Sequence, residues 1–195
     1  MASKVDHCNL ALRKIGSKTI MSLTDGSTEA DLCALMYDFV LDAELRKHPW
    51  NFAITEKELA PSTQAPIKDY GSTYVLPSDC IRVEKSPHLY KDYTIQGRKL
   101  YTKYETSSVV LRYVNRETNS QLYDPIFSEA FATRLAIEMC EQLTQSTSKK
   151  SSLYNDYLDY IRDAKRTNAI EKPFRNRPVG STLASRITDV QILNN

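Results

Sequence analysis

Residues able to carry chemistry are few and scattered in this chain of 195 residues. The histidines are His7, His48 and His88, and no two share the spacing that places metal donors on one helical face. His48 reads as a cation at a helix end. Cys8, Cys33, Cys80 and Cys140 form no C-x-x-C pair, and they read as buried free thiols of a reducing compartment, acting as small hydrophobes. Cys140 is followed by Glu141 on a helical stretch with no histidine nearby, so nothing local activates a thiolate. Asp156, Asp159 and Asp163 alternate with Arg162, Lys165 and Arg166, which is the pattern of a solvated helix face. Phosphate-binding glycine loops, nucleophile elbows and the H-E-x-x-H zinc pattern do not occur. The expectation is a protein with no catalytic residue, no metal and no cofactor.

The remaining candidates are contact residues. Lys172, Arg175 and Arg177 surround Phe174 near the end of the chain. An aromatic among arginines can stack on nucleic acid, anchor in a groove of a protein partner, or belong to a solvated linker. The partner reading is favoured, with Pro173, Phe174, Arg175, Arg177, Ile187, Val190, Ile192 and Leu193 as its contact residues. A second group, Pro49, Trp50 and Phe52, has the character of a structural joint: a helix stop followed by the only tryptophan and a phenylalanine.

Composition fits that emphasis. Hydrophobic residues make up 41% and charged residues 26%, ordinary for a globular chain, and a net charge of +2 gives no broad field for nucleic acid. Five glycines are too few for a turn-dense all-β fold, and twelve tyrosines suit contact surfaces. The start, Met-Ala-Ser-Lys, lacks the basic-then-apolar order of a secretory signal, and no run reaches the roughly 18 apolar residues of a membrane span. A soluble intracellular product is expected.

The elements that must position these residues follow from periodicity. Val5, Cys8, Leu12 and Ile15 mark one face of a first helix from Ser3 to Gly16. A second helix starts at a Ser27 cap, carries Leu32, Leu35, Met36, Phe39, Val40 and Ala43 as an apolar stripe, and stops before Pro49. Residues 53–70 are polar and proline-bearing. Short strands are expected at Cys80–Glu84, in a hairpin around Gly97, and at Ser107–Asn115. Asp124-Pro125 opens a third helix with Phe127, Phe131, Leu135, Met139 and Leu143 on one face. A fourth carries Leu153, Tyr157, Leu158, Ile161 and Ala164 and fades near Glu171. The expected fold is mainly α: an antiparallel four-helix bundle from residues 1–52 and 118–171, a small antiparallel β insertion at 53–117, and an extended C-terminal arm at 172–195.

Several stretches resemble a known family in order. They are Asn9-Leu10-Ala11-Leu12-Arg13-Lys14-Ile15-Gly16, Leu23-Thr24-Asp25-Gly26-Ser27, His48-Pro49-Trp50-Asn51-Phe52-Ala53 and Leu76-Pro77-Ser78-Asp79-Cys80-Ile81-Arg82, then Leu111-Arg112-Tyr113-Val114-Asn115-Arg116 and Phe127-Ser128-Glu129-Ala130-Phe131-Ala132-Thr133-Arg134-Leu135-Ala136. Over about residues 5–170 the chain resembles the head-to-tail adaptors of short-tailed phages, the tail tubular protein A type. The resemblance implies a structural virion protein of the head-tail junction, made in the host cytoplasm. It implies a dodecameric ring of copies beneath the portal protein, joining it to the tail nozzle protein. Double-stranded DNA would leave through the channel without sequence-specific binding, and no membrane is involved. The arm would reach the portal or a neighbouring subunit. Two other readings stay open: an intracellular helical protein-interaction module with a tyrosine-rich face, and a hydrolase whose site assembles only in three dimensions.

Overall fold

Polar caps set the helix limits in the computed structural model, which describes residues 3–63, 67, 69–84, 93–103 and 107–171. In α1, Lys4–Ile15, the Ser3 hydroxyl accepts from the Asp6 amide while the Asp6 carboxylate accepts from the Ser3 amide. Gly16 ends it at φ 76°, a left-handed conformation that costs glycine nothing. Ser27 caps α2, Thr28–Lys47, and His48 is already extended ahead of Pro49. Asp124 receives the amides of Ile126 and Phe127 and starts α3, Pro125–Thr144. Gln145, at φ 53°, turns the chain into α4, Thr147–Ile170, capped by Ser146.

The third helix is the hub. It packs on α1, α2 and α4, whereas α1 and α2 meet each other only slightly. Its buried residues run round most of its circumference, from Phe127, Phe131, Leu135 and Met139 to Ala132, Thr133 and Ile137. Ala130 and Ala136 are both fully buried where the neighbouring helices pack.

One helix presents a different face from the one its sequence predicts. The buried residues of α2 are Ala30, Cys33, Tyr37, Val40, Leu41, Glu44 and Leu45. Of the predicted stripe only Val40 is among them; Phe39 is 72% exposed and Leu35 56%, with Ala43 exposed and Leu32 and Met36 half-buried. The helix carries apolar residues on two faces. The face holding small Ala30 and Cys33 goes inward because α3 offers large groups there: the Cys33 thiol lies 3.6 Å from the Met139 sulfur, and Phe131 meets Tyr37 edge-on at 5.1 Å. Leu158 on α4, also predicted inward, is 45% exposed.

The β region corrects the expected architecture. Its strands are β1 Ile54–Leu59, β2 Ser72–Val75, β3 Cys80–Val83, β4 Tyr93–Gln96, β5 Lys99–Thr102 and β6 Val109–Asn115. They form two three-stranded antiparallel sheets, ordered β1-β6-β3 and β2-β5-β4. A separate core of Leu59, Tyr74, Leu76, Cys80, Leu100, Val109, Leu111 and Tyr113 is buried there. The fold is therefore mixed, with four helices and two sheets among the described residues, and a four-helix bundle bearing a small insertion does not describe it. The missed strand β1 is an edge: Glu56, Lys57 and Glu58 are exposed, so its burial signal is confined to its ends. The hairpin around Gly97 forms as expected, with Gly97 and Arg98 both at positive φ in a two-residue turn.

The first sheet is sewn to the helices. Val114 of β6 belongs to the helical core. The Arg46 guanidinium donates to the Ile81 carbonyl at 2.6 Å, and that of Arg82 donates to the Arg46 carbonyl at 2.7 Å. Arg116 pairs with Asp42 at 2.6 Å and Asp38 at 3.5 Å. No helix among the described residues is long and apolar enough to cross a membrane.

Candidate functional site: the joint at Trp50

Pro49 ends α2 and sends Trp50 inward, where it is 1% exposed. The indole Nε1 donates to the Glu44 carbonyl at 3.0 Å, so the buried N–H finds its partner in the last turn of α2. Around the indole stand His48 at 4.7 Å, Phe127 at 4.8 Å edge-on and Phe52 at 6.2 Å stacked. Phe52 in turn meets Phe127 at 4.9 Å and Tyr123 at 5.2 Å. The sequence grouping of Pro49, Trp50 and Phe52 thus forms one aromatic cluster joining α2, β1 and α3.

A polar clasp lies beside it. The Asn168 Oδ1 of α4 accepts from the Asn51 amide at 2.7 Å, and its Nδ2 reaches the Pro49 carbonyl at 3.2 Å and the His48 Nε2 at 3.0 Å. Asn51 Nδ2 donates to the Asn168 carbonyl at 2.9 Å and to the Glu171 carboxylate at 3.0 Å. One asparagine pair therefore fixes the end of α4 to the break after α2. Asn168 was not singled out from sequence. Its position seven residues after Ile161 and four after Ala164, on the buried face, is the signal that could have found it.

Beneath the clasp, the Glu44 side chain is 1% exposed yet well partnered. Lys47 Nζ lies 2.6 Å from its carboxylate and Arg134 Nε 3.6 Å, while the Tyr157 hydroxyl donates to it at 2.8 Å. Burial, then the Glu44 charge, pushes the Tyr157 phenol above its ordinary range. Two cations and a phenol surround the carboxylate, so its charge is balanced within the protein, and these contacts tie α2, α3 and α4 together.

The other reactive groups lie apart from the joint or serve packing. His7 is buried against Tyr123 at 5.8 Å and Phe131 at 5.7 Å; its Nδ1 pairs with the Ser3 carbonyl at 2.9 Å and its Nε2 has no partner among the described residues. Burial lowers its pKa, against smaller opposing effects of Ser3 and Asp6. All four cysteines are buried free thiols, Cys8 raised first by its hydrogen bond with Cys33 and then by burial. No group of His, Cys, Asp and Glu among the described residues is placed to hold a metal. The arm residues Pro173, Phe174, Arg175, Arg177, Ile187, Val190, Ile192 and Leu193 lie outside the described residues, as does His88.

No protein-family model matches the chain, and no curated protein matches it. The resemblance to phage adaptors stands on the quoted residues alone.

Proposed function

We propose that the chain is a structural subunit of a phage head-tail junction: an adaptor that assembles as a ring beneath the portal, presents a seat for the nozzle protein and lines the DNA exit channel. The observation that carries the assembly part is the second apolar face of α2. Leu35, Phe39 and Ala43 form an exposed outward stripe, with Leu32 and Met36 half-buried along its edge against the helical core, and an exposed apolar face of that kind belongs to a subunit that meets another protein. A ring needs a lateral contact between unlike surfaces of successive copies and a separate contact along its axis. In this proposal the α2 stripe serves the lateral contact and the arm, 172–195, the portal. The phage setting rests on the resemblance of the joint and the stretches around it.

The same face suits the alternative, a protein-interaction module outside any virion. Mixing the purified protein with purified portal separates the two. The adaptor comigrates with portal as a large ring in size-exclusion chromatography; a module leaves portal unshifted, and that result removes the adaptor reading. Phe39→Asp tests the assembly face. It is expected to change folding stability by no more than about 0.5 kcal/mol, because the side chain is already in water, while copies no longer associate on the portal. Ring formation by Phe39→Asp at the level of the natural protein would exclude the α2 stripe.

A further inference from the structure

A groove of about 280 Å3 opens at the joint. Trp50, Phe52 and Tyr123 wall it, Leu122 and Pro125 form its lip, and Asp124 and Glu171 bring carboxylates to it. Leu122 is 54% exposed, so the lip is apolar and uncovered. Its surroundings are firmly held, since Asn51 and Asn168 clasp the wall and Asn51 holds Glu171.

Glu171 is the last described residue before the 172–195 segment, so the chain leaves from the lining of the groove itself. Phe174 is the first aromatic residue beyond it, three positions on, and three residues of chain span about 10 Å. Lys172, Arg175 and Arg177 flank that phenylalanine with positive charge, opposite in sign to Asp124 and Glu171. A tethered phenylalanine also stands at a far higher effective concentration than one from a separate molecule. Length of chain, point of exit, ring chemistry and charge select the same occupant.

We propose that this groove is the seat of Phe174 from the same chain, with the neighbouring basic residues facing Glu171 and Asp124. The root of the arm is thereby anchored on its own subunit, and the contact with a partner falls to the distal Ile187, Val190, Ile192 and Leu193. Only that last assignment rests on the adaptor reading; the seat is a property of the isolated subunit.

Thermal melting of the full chain tests it, with near-ultraviolet circular dichroism of the single tryptophan as a local reporter. Phe174→Ala is expected to lower the melting temperature by about 2–6 °C, from the loss of a half-buried aromatic ring, and to alter the Trp50 signal. Leu122→Asp at the lip is expected to do the same, and the double variant to melt no lower than either single one. The shift is expected to be independent of protein concentration. A Phe174→Ala protein with the natural melting temperature and an unchanged Trp50 signal overturns the proposal. Additive effects of the two substitutions overturn it as well. A shift that disappears on dilution of the natural protein assigns the seat to a second copy and overturns the same-chain assignment. A Phe174→Ala protein that melts normally but fails to bind portal would refute the seat and leave the adaptor reading standing.

Discussion

The helical body and the β region bury different kinds of residues around different frameworks. The helices surround one central element, α3, and accept charge and polar groups into the interior, with Glu44, Asn168 and His7 all covered. The sheets have no central layer. Two three-stranded sheets share a small core of eight side chains, and the polar side chains they cover are the small uncharged ones of Ser72, Thr73 and Thr102. Small cores resist opening less than large ones, so the two regions are expected to differ in local stability although β6 connects them through Val114. The comparison teaches that the contacts between the regions, the joint at Trp50 among them, are where the cooperativity of unfolding is to be tested.

Trp50→Ala breaks the comparison most directly. The substitution removes a fully buried ring and an indole donor at the meeting point of both regions, with an expected loss of about 3–5 kcal/mol. Denaturant melts followed separately by helix and by sheet signals should shift together; a melt equal to that of the natural protein would show that Trp50 is not a keystone.

Leu111→Ala sharpens it. Leu111 is fully buried at the centre of the sheet core, and its truncation is expected to cost about 2–4 kcal/mol. Hydrogen exchange should accelerate in β1, β3 and β6 while α3 keeps most of its protection. Equal acceleration in α3 would mean that the two cores open only together.

The smallest effect is electrostatic and confined to the helices. His7 is held neutral by burial, with Tyr37, Tyr123 and Phe131 packed on it and Asp6 as the nearest charge. Its folded pKa lies below the ordinary 6.5, so below that pH the unfolded chain takes up a proton the folded one refuses. Stability therefore falls as the pH drops below 6.5 and levels off once the folded pKa is passed. Asp6, lowered by the Ser3 amide and then its hydroxyl, contributes in a separate window at and below 3.8. A titration of stability with pH in His7→Leu should lose its slope in the upper window and keep it in the lower. An unchanged upper slope would assign the effect elsewhere.

What could be read in the sequence divides along the same line. Ser3, Gly16, Ser27 and Asp124-Pro125 mark helix limits by short-range chemistry, and the structure uses each as read. The glycine of the β4–β5 turn is equally local. The buried face of α2 is not, because two apolar faces compete and the shape of α3 chooses between them. Strand β1 escaped for a related reason: its charged residues point to solvent, and only its pairing with β6 makes it a strand. Of the candidate site, the Pro49, Trp50 and Phe52 cluster was legible, since a helix stop before large aromatics has few other uses. The Asn51–Asn168 pairing was not, because it joins residues far apart in sequence whose side chains are polar and unremarkable on their own.

That pairing has a mechanical consequence. Anything that pulls on residue 172 draws on the last turn of α4, and the first bonds to take up the load are those between Asn51, Asn168 and Glu171. They run to the main chain beside Pro49, at the base of a twenty-residue rod, so tension that reaches residue 172 is handed to α2 before any apolar contact of the helical core has to slide. A subunit built this way can be tugged at its far end without its interior being the part that gives first.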